Sequence, residues 1–236
     1  KGTGPDLQQF DPSIDTRPPS RGVVIAQEVS AEMLSDRRVI SAESEYGDYT
    51  EERFIADSMG FEGYQRKSGF SVSANCSVSG KGDEKPERNW YEDEVFFKNL
   101  RYKGCGTKAL ERAIESIGPV KLTSGSYNMI VDSTIVSTLV IPIIDALKGS
   151  SLHIRNSFLA DKLGVKVFGE NVSLKDMPHT IGNSFSRLFD LEGIATKERD
   201  IISGGTICNY FIDNYYSRKL SLDVTIGTPS VVMMPE

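Results

Sequence analysis

Between positions 70 and 79 the chain alternates without a break, Phe70, Val72, Ala74, Cys76 and Val78 against Ser71, Ser73, Asn75, Ser77 and Ser79. Five apolar positions at period two predict a strand with one face buried. Gly80-Lys81-Gly82-Asp83 closes it, and Trp90 to Phe97 supplies a return strand. Strand-like runs from Arg38 onward, turned at Met59-Gly60-Phe61-Glu62-Gly63, complete an antiparallel meander whose turns are too short for crossover helices. Helical spacing is read on both sides of it. Val24, Val29 and Leu34 mark a short helix over Val23 to Leu34; Leu110, Ile114 and Ile117 mark another over Gly104 to Ile117, ended by Gly118-Pro119.

Beyond that point the pattern predicts a buried strand over Tyr127 to Val131, then helices over Ser133 to Leu147 and Leu152 to Leu163. Strands over Ile194 to Ile202 and Thr206 to Ile212 flank Ser203-Gly204-Gly205, a hairpin signal. A helix over Asn214 to Leu220 leads into an apolar strand over Thr225 to Met233. Four prolines among polar residues before position 20 read as an extended lead. The fold class is α+β, a largely antiparallel unit with helices followed by the start of a β-rich mixed unit. Its divisions are 1–22 as a linker or trimmed region, 23–118 as the α+β unit, and 119–236 as the first part of a second domain.

Charge narrows the function. Lys and Arg total 27 against 33 Asp and Glu, a net charge of −6, the wrong sign for a protein that grips phosphate backbones. No nucleic-acid partner is expected. The longest apolar stretch, Ile135 to Ile144, is interrupted by Ser137, Thr138 and Pro142 and falls well short of the ~20 residues of a membrane span. No membrane partner is expected either. Three cysteines point to a reducing compartment rather than a disulfide scaffold, hence the cytoplasm.

Several groups could carry chemistry. Gly104-Cys105-Gly106-Thr107-Lys108-Ala109 fits G-x-G-x-x-A before a helix, with Asp132 placed to bind a ribose, which would make a dinucleotide site. Against it, the preceding segment carries Glu94, Lys98, Arg101 and Lys103, unlike the buried strand such a site requires. His153 and His179 stand apart, without ligand spacing, and read as surface or turn residues. Cys76 reads as core; Cys105 and Cys208 have no adjacent base. Asp190 and Glu192 form either an acid/base pair on one strand face or an ordinary acidic turn, and the turn is preferred. Tyr210, Tyr215 and Tyr216 with Arg218 and Lys219 form either a groove for a peptide or anion or a helix packed by its tyrosines with a solvated basic end, and the packed helix is preferred.

Taken in order, Ser157-Phe158-Leu159, Lys162-Leu163-Gly164, Val167-Phe168, Asp176-Met177-Pro178, Phe189-Asp190-Leu191-Glu192-Gly193-Ile194-Ala195-Thr196 and Tyr210 through Leu220 resemble the TldD/PmbA family, also called the modulator of DNA gyrase family. Ser44-Glu45-Tyr46 and Asp57 through Gly63 extend the resemblance toward Val23. The resemblance implies a cytoplasmic protein of a zinc metallopeptidase family that trims peptides. Its catalytic branch has H-E-x-x-x-H on a helix before a glycine turn, here Ala146-Leu147-Lys148-Gly149. At the three motif positions this chain has Val140, Ile141 and Asp145. It therefore looks like the PmbA (TldE) branch, whose members pair with a TldD-like subunit that holds the metal.

That reading expects no catalytic, cofactor-binding or metal residues in this chain, with zinc in the partner subunit. Its partners would be a TldD-like metallopeptidase subunit and a peptide substrate, with a homodimer also possible. The resemblance also leads one to expect that the family's sequence runs on past Glu236 and begins earlier. Two other readings stay open: a nucleotide-dependent oxidoreductase using Gly104, Gly106 and Asp132, and a stand-alone interaction protein acting on gyrase or a toxin-antitoxin pair.

Overall fold

The computed structural model describes residues 4–234. The fold is α+β, and its contacts divide the chain into two units. One unit takes residues 8–52 and 66–125; the other takes 4–7, 53–65 and 126–234.

The first unit is built on a three-stranded sheet, β1 (Val39–Ala56), β2 (Glu62–Val78) and β3 (Glu87–Glu94), in that order. β2 and β3 run antiparallel with Phe70 opposite Glu94 and Ser77 opposite Glu87. The alternation at 70–78 does what it predicts: Phe70, Val72, Ala74, Cys76 and Val78 are all buried. They meet Ile25, Val29 and Met33 of α1 (Ser20–Met33), spaced one turn apart, and Cys105, Ala109, Leu110 and Ala113 of α2 (Cys105–Glu115). The two helices approach closely at one point. A Cβ on Gly106 would lie 2.2 Å from the carbonyl oxygen of Val29, so only glycine fits there.

The second unit holds a four-stranded antiparallel sheet in the order β6-β5-β4-β7, from β4 (Leu174–Asp176), β5 (Arg199–Ser203), β6 (Thr206–Ile207) and β7 (Val232–Met233). Helices α3 (Ser137–Ala146), α4 (Gly149–His153) and α5 (Asn214–Leu220) complete it. Leu147, Leu159, Leu174, Ile201, Ile202, Ile207, Phe211 and Ile212 form its buried centre. The hairpin between β5 and β6 turns at Gly204 and Gly205, both at positive φ, as a tight two-residue turn requires. Among the described residues no helix is long and apolar enough to cross a membrane.

Several local expectations are corrected. Residues 127–131 form no strand; Tyr127, Met129 and Ile130 are exposed, and no strand among the described residues pairs with them to bury an apolar run. The helix expected over Leu152 to Leu163 stops at His153. Arg155 turns left-handed, and the Ser157 hydroxyl donates to the Ala146 carbonyl and accepts from the Leu159 N–H, a local bonding pattern that competes with helix. The helix expected from Ser133 starts at Ser137, because the Asp132 carboxylate accepts from the backbone and hydroxyl of Thr134 and holds a turn. β5 and β6 are shorter than expected, and of Thr225 to Met233 only Val232–Met233 joins the sheet. Of the segment read as an extended lead, residues 1–3 lie outside the described residues; in the remainder Leu7, Gln9 and Asp11 are buried, and Pro12–Thr16 makes a 3-10 turn. Asp11 secures it, accepting from the N–H groups of Ser13 and Phe97.

Candidate functional site

The helix that would bear a metallopeptidase motif lines a cavity. Val136, Ser137, Val140, Ile141, Ile144 and Asp145 of α3 and its approach form one wall of a space of about 520 Å³. Leu174, Thr228, Pro229, Val232 and Met234 form the other. The lining is mostly aliphatic. Its charged pair is Asp145 with Lys148, 2.6 Å apart and partly exposed. Pro142 sits within α3, where it removes one helical hydrogen bond.

The wall opposite α3 is held from behind by buried charge. Asp176 is fully buried at the end of β4, and its Oδ1 accepts from the N–H groups of Ser230 (2.8 Å) and Val231 (3.3 Å). Arg187 clamps the same segment. Its Nε donates to the Ser230 hydroxyl, and its Nη2 donates to the carbonyls of Thr228 and Pro229 and to the Thr228 hydroxyl. Arg199 lies 3.8 Å from the Asp176 Oδ2, which has no hydrogen-bond partner among the described residues. Burial pushes the Asp176 carboxyl above its ordinary value, opposed by the Ser230 N–H and the positive charge of Arg199 and Arg187. Burial likewise lowers both guanidinium groups, with Asp176 and Asp190 opposing. The arrangement is a positioning device for residues 228–231 rather than a set of reactive groups.

The arrangement does not fit a zinc ion. A catalytic zinc keeps three protein ligands and an open position for water. Val140 and Ile141 carry no donor atom, which leaves Asp145 alone at the motif positions. Among the described residues no three His, Cys, Asp or Glu side chains stand where they could share a metal. His179 is engaged elsewhere, its Nε2 3.0 Å from the Thr196 hydroxyl, which in turn donates to the Arg187 carbonyl. His153 lies beside the Tyr216 ring, 6.0 Å between centroids.

The other sequence candidates resolve into structural roles. Gly104 is left-handed, and the N–H groups of Gly104, Gly106 and Thr107 all point to the Glu32 carboxylate, at 2.9, 3.0 and 3.3 Å. A side chain of the chain itself thus fills the place a phosphate would take at this helix end. The segment before it is a 3-10 turn, Phe97–Asn99, and not a parallel strand. Asp132 falls in the other unit. The nucleotide reading loses its geometry. Asp190 accepts from the N–H groups of Glu192 and Ile194 and shapes its own turn, while Glu192 accepts from the Asn214 backbone and amide at the start of α5. They are no acid/base pair. Tyr215 and Tyr216 pack edge to face at 4.9 Å with Lys219 over Tyr215. Cys76 and Cys105 are buried, and burial pushes the Cys105 thiol up to about 11.

Residues 12–117 match the PmbA/TldA metallopeptidase central domain, and residues 124–233 match the PmbA/TldA metallopeptidase C-terminal domain. The chain belongs to the PmbA/TldD family. Among relatives, it is 27% identical to the Metalloprotease PmbA homolog of Haemophilus influenzae over 84% of this chain and 44% of that one. It is 24% identical to Metalloprotease PmbA of Escherichia coli O157:H7 over 94% of this chain and 49% of that one. A solved structure from Bacteroides thetaiotaomicron, labelled a modulator of DNA gyrase, superposes with a TM-score of 0.97 at 39% identity, covering 100% of this chain and 54% of that one. TldE from Thermococcus kodakarensis shares the fold, with a TM-score of 0.76 at 19% identity over 94% of this chain and 50% of its own. The chain spans about half the length of the curated relatives it matches.

Within this PmbA/TldD chain, sequence reasoning located the α3 wall but missed the other. Asp176 lies in a segment that carries the family resemblance but has no chemistry of its own there, and Arg187 lies outside those segments. The signal that could have found them is a lone Asp and Arg inside otherwise apolar or turn-forming segments, since buried charges are rarely left unpaired.

Proposed function

We propose that this chain is the PmbA/TldE-like, non-catalytic part of a heteromeric metallopeptidase, and that its partner is a TldD-like subunit carrying the zinc. The observation that carries the reading is the cavity beside α3. Val140 and Ile141 line it at the motif positions where a catalytic member would have His and Glu. Those side chains turn a place for metal and water into an apolar surface suited to a peptide's side chains. A zinc-activated water needs several protein ligands on the metal, and of the motif positions on α3 only Asp145 carries a donor atom. The reading places the complex in the cytoplasm, and three free cysteines are consistent with that.

The test is to purify the full-length protein alone and with a TldD-like subunit bearing H-E-x-x-x-H, then measure zinc and peptide cleavage. Cleavage is expected only in the mixture, with zinc following the partner's histidines. Ile141→Asp, which puts a charge on the apolar wall, is expected to cut cleavage by the mixture about tenfold or more, in line with a lost contact worth ~1.4 kcal/mol. About one zinc per chain in the protein alone, lost with His153→Ala or His179→Ala, would overturn the reading. An interaction protein without peptidase partner would instead leave the mixture inactive.

A further inference from the structure

A second cavity, of about 590 Å³, shares none of its lining with the first. Leu152, Ala160, Leu220, Leu222 and the ring of Tyr210 make an apolar floor, with Arg155 and Asp161 at the edge. The Tyr210 hydroxyl is already committed. It donates to the Leu159 carbonyl at 2.6 Å and accepts from the Lys162 N–H at 2.9 Å, so this residue offers a cavity occupant only its ring. Arg155 and Asp161 are both exposed. Among the described residues neither side chain has an ion pair or hydrogen bond, even with the other. The volume lies within the range of small-ligand sites, and the lining exposes somewhat more polar than apolar surface.

The backbone at this cavity concentrates a strained conformation that is rare elsewhere among the described residues. Arg155 and Asp161 are left-handed, with φ of 56° and 58°, and so is Ser221 between the two floor leucines, with φ of 55°. Among the described residues four non-glycine residues have positive φ, and three of them border this cavity. Nine other positive-φ positions are glycines. Arg155 follows the C-cap residue of α4, where glycine is the usual choice because a Cβ is disfavoured. Charged side chains kept at strained positions, lining the same cavity and without a side-chain partner among the described residues, point to a ligand.

We propose that this cavity binds an amino-acid unit with an apolar side chain and a free carboxylate, either a free amino acid or the last residue of a peptide. The apolar side chain covers the leucines and the Tyr210 ring. Arg155 takes the carboxylate through its planar pair of N–H groups, the geometry in which arginine excels. Asp161 accepts from the ammonium of a free amino acid or the amide N–H of a peptide. The binding is non-covalent and independent of the peptidase reading, so either can fail without the other.

The experiment is a calorimetric titration of the full-length protein with a short peptide ending in leucine, the same peptide amidated at its C-terminus, and free leucine. The free-acid peptide is expected to bind, and amidation to weaken it at least tenfold. Competition by free leucine at similar concentration assigns the site to amino acids; its failure to compete assigns it to peptide ends. Arg155→Gly is expected to weaken binding at least tenfold while leaving Tm equal or higher, because glycine relieves the left-handed strain. Arg155→Asn, which tolerates that backbone without the charge, serves as the second variant and is expected to behave the same way. No binding at millimolar peptide, equal binding of acid and amide, or retained binding in both Arg155 variants would overturn the proposal.

Discussion

Glu32 shows how much one side chain can decide. Its carboxylate gathers three N–H groups that open α2, satisfying donors that otherwise lack helical partners. Glu32→Ala is expected to lower stability by about 1–2 kcal/mol in urea unfolding, the usual range for a lost N-terminal cap. The alanine variant should still show no affinity for NAD, because no parallel sheet surrounds the loop. Asp11 has a different signature. Burial raises its carboxyl, but hydrogen bonds from Ser13 and Phe97 and the charge of Arg17 outweigh that and hold it below 3.8. A lowered carboxyl contributes stability above its unfolded value and loses it as pH falls through the folded one. Acid unfolding followed by circular dichroism should therefore be shallower below pH 3.8 in Asp11→Asn than in the parent. Neither role was legible in the sequence: Glu32 acts 72 positions from Gly104, and Asp11 acts 86 positions from Phe97.

Elements were legible where local pattern and tertiary surroundings agree. β2 alternates cleanly and is buried on one side; α5 begins and ends where its sequence suggests, capped by Asp213 accepting from Tyr216. Where they disagree, the pattern fails. Residues 127–131 have strand-forming composition and, among the described residues, no strand beside them, and 157–163 have helical composition broken by Ser157 and by left-handed Asp161. The candidate site divides along the same line: the apolar pattern over Ser133 to Leu147 predicts α3, whereas Thr225 to Met233 has a strand-like pattern and is mostly a wall pinned by side chains, only Val232–Met233 joining the sheet. Asp176→Ala removes the acceptor for Ser230 and Val231 and leaves the buried Arg199 guanidinium without its nearby carboxylate. It is expected to cost on the order of 3–5 kcal/mol, the range for breaking a buried charge pair. Asp176→Asn keeps an acceptor oxygen and should cost less. Thermal melts of the two variants check the order.

The whole chain is threaded through its two units more than once. It passes from the second unit at 4–7 into the first at 8–52, returns for 53–65, goes back for 66–125, and ends in the second. Residues 121–130 are all exposed and are the expected target of a protease, since exposed connections are cut first. Yet the 53–65 hairpin tip belongs with residues beyond the cut. Phe61 stacks edge to face on Phe189 at 5.2 Å, and Gln65 donates to the Ser186 carbonyl. Limited digestion there should give two fragments on a denaturing gel that elute together from a sizing column; separate elution would contradict the assignment of the tip. A gene fragment stopping near residue 125 would not encode a self-contained half. Its product would carry a hairpin tip severed from the fold that owns it, so anyone dividing this gene for expression inherits a loose apolar end and the aggregation that follows from it.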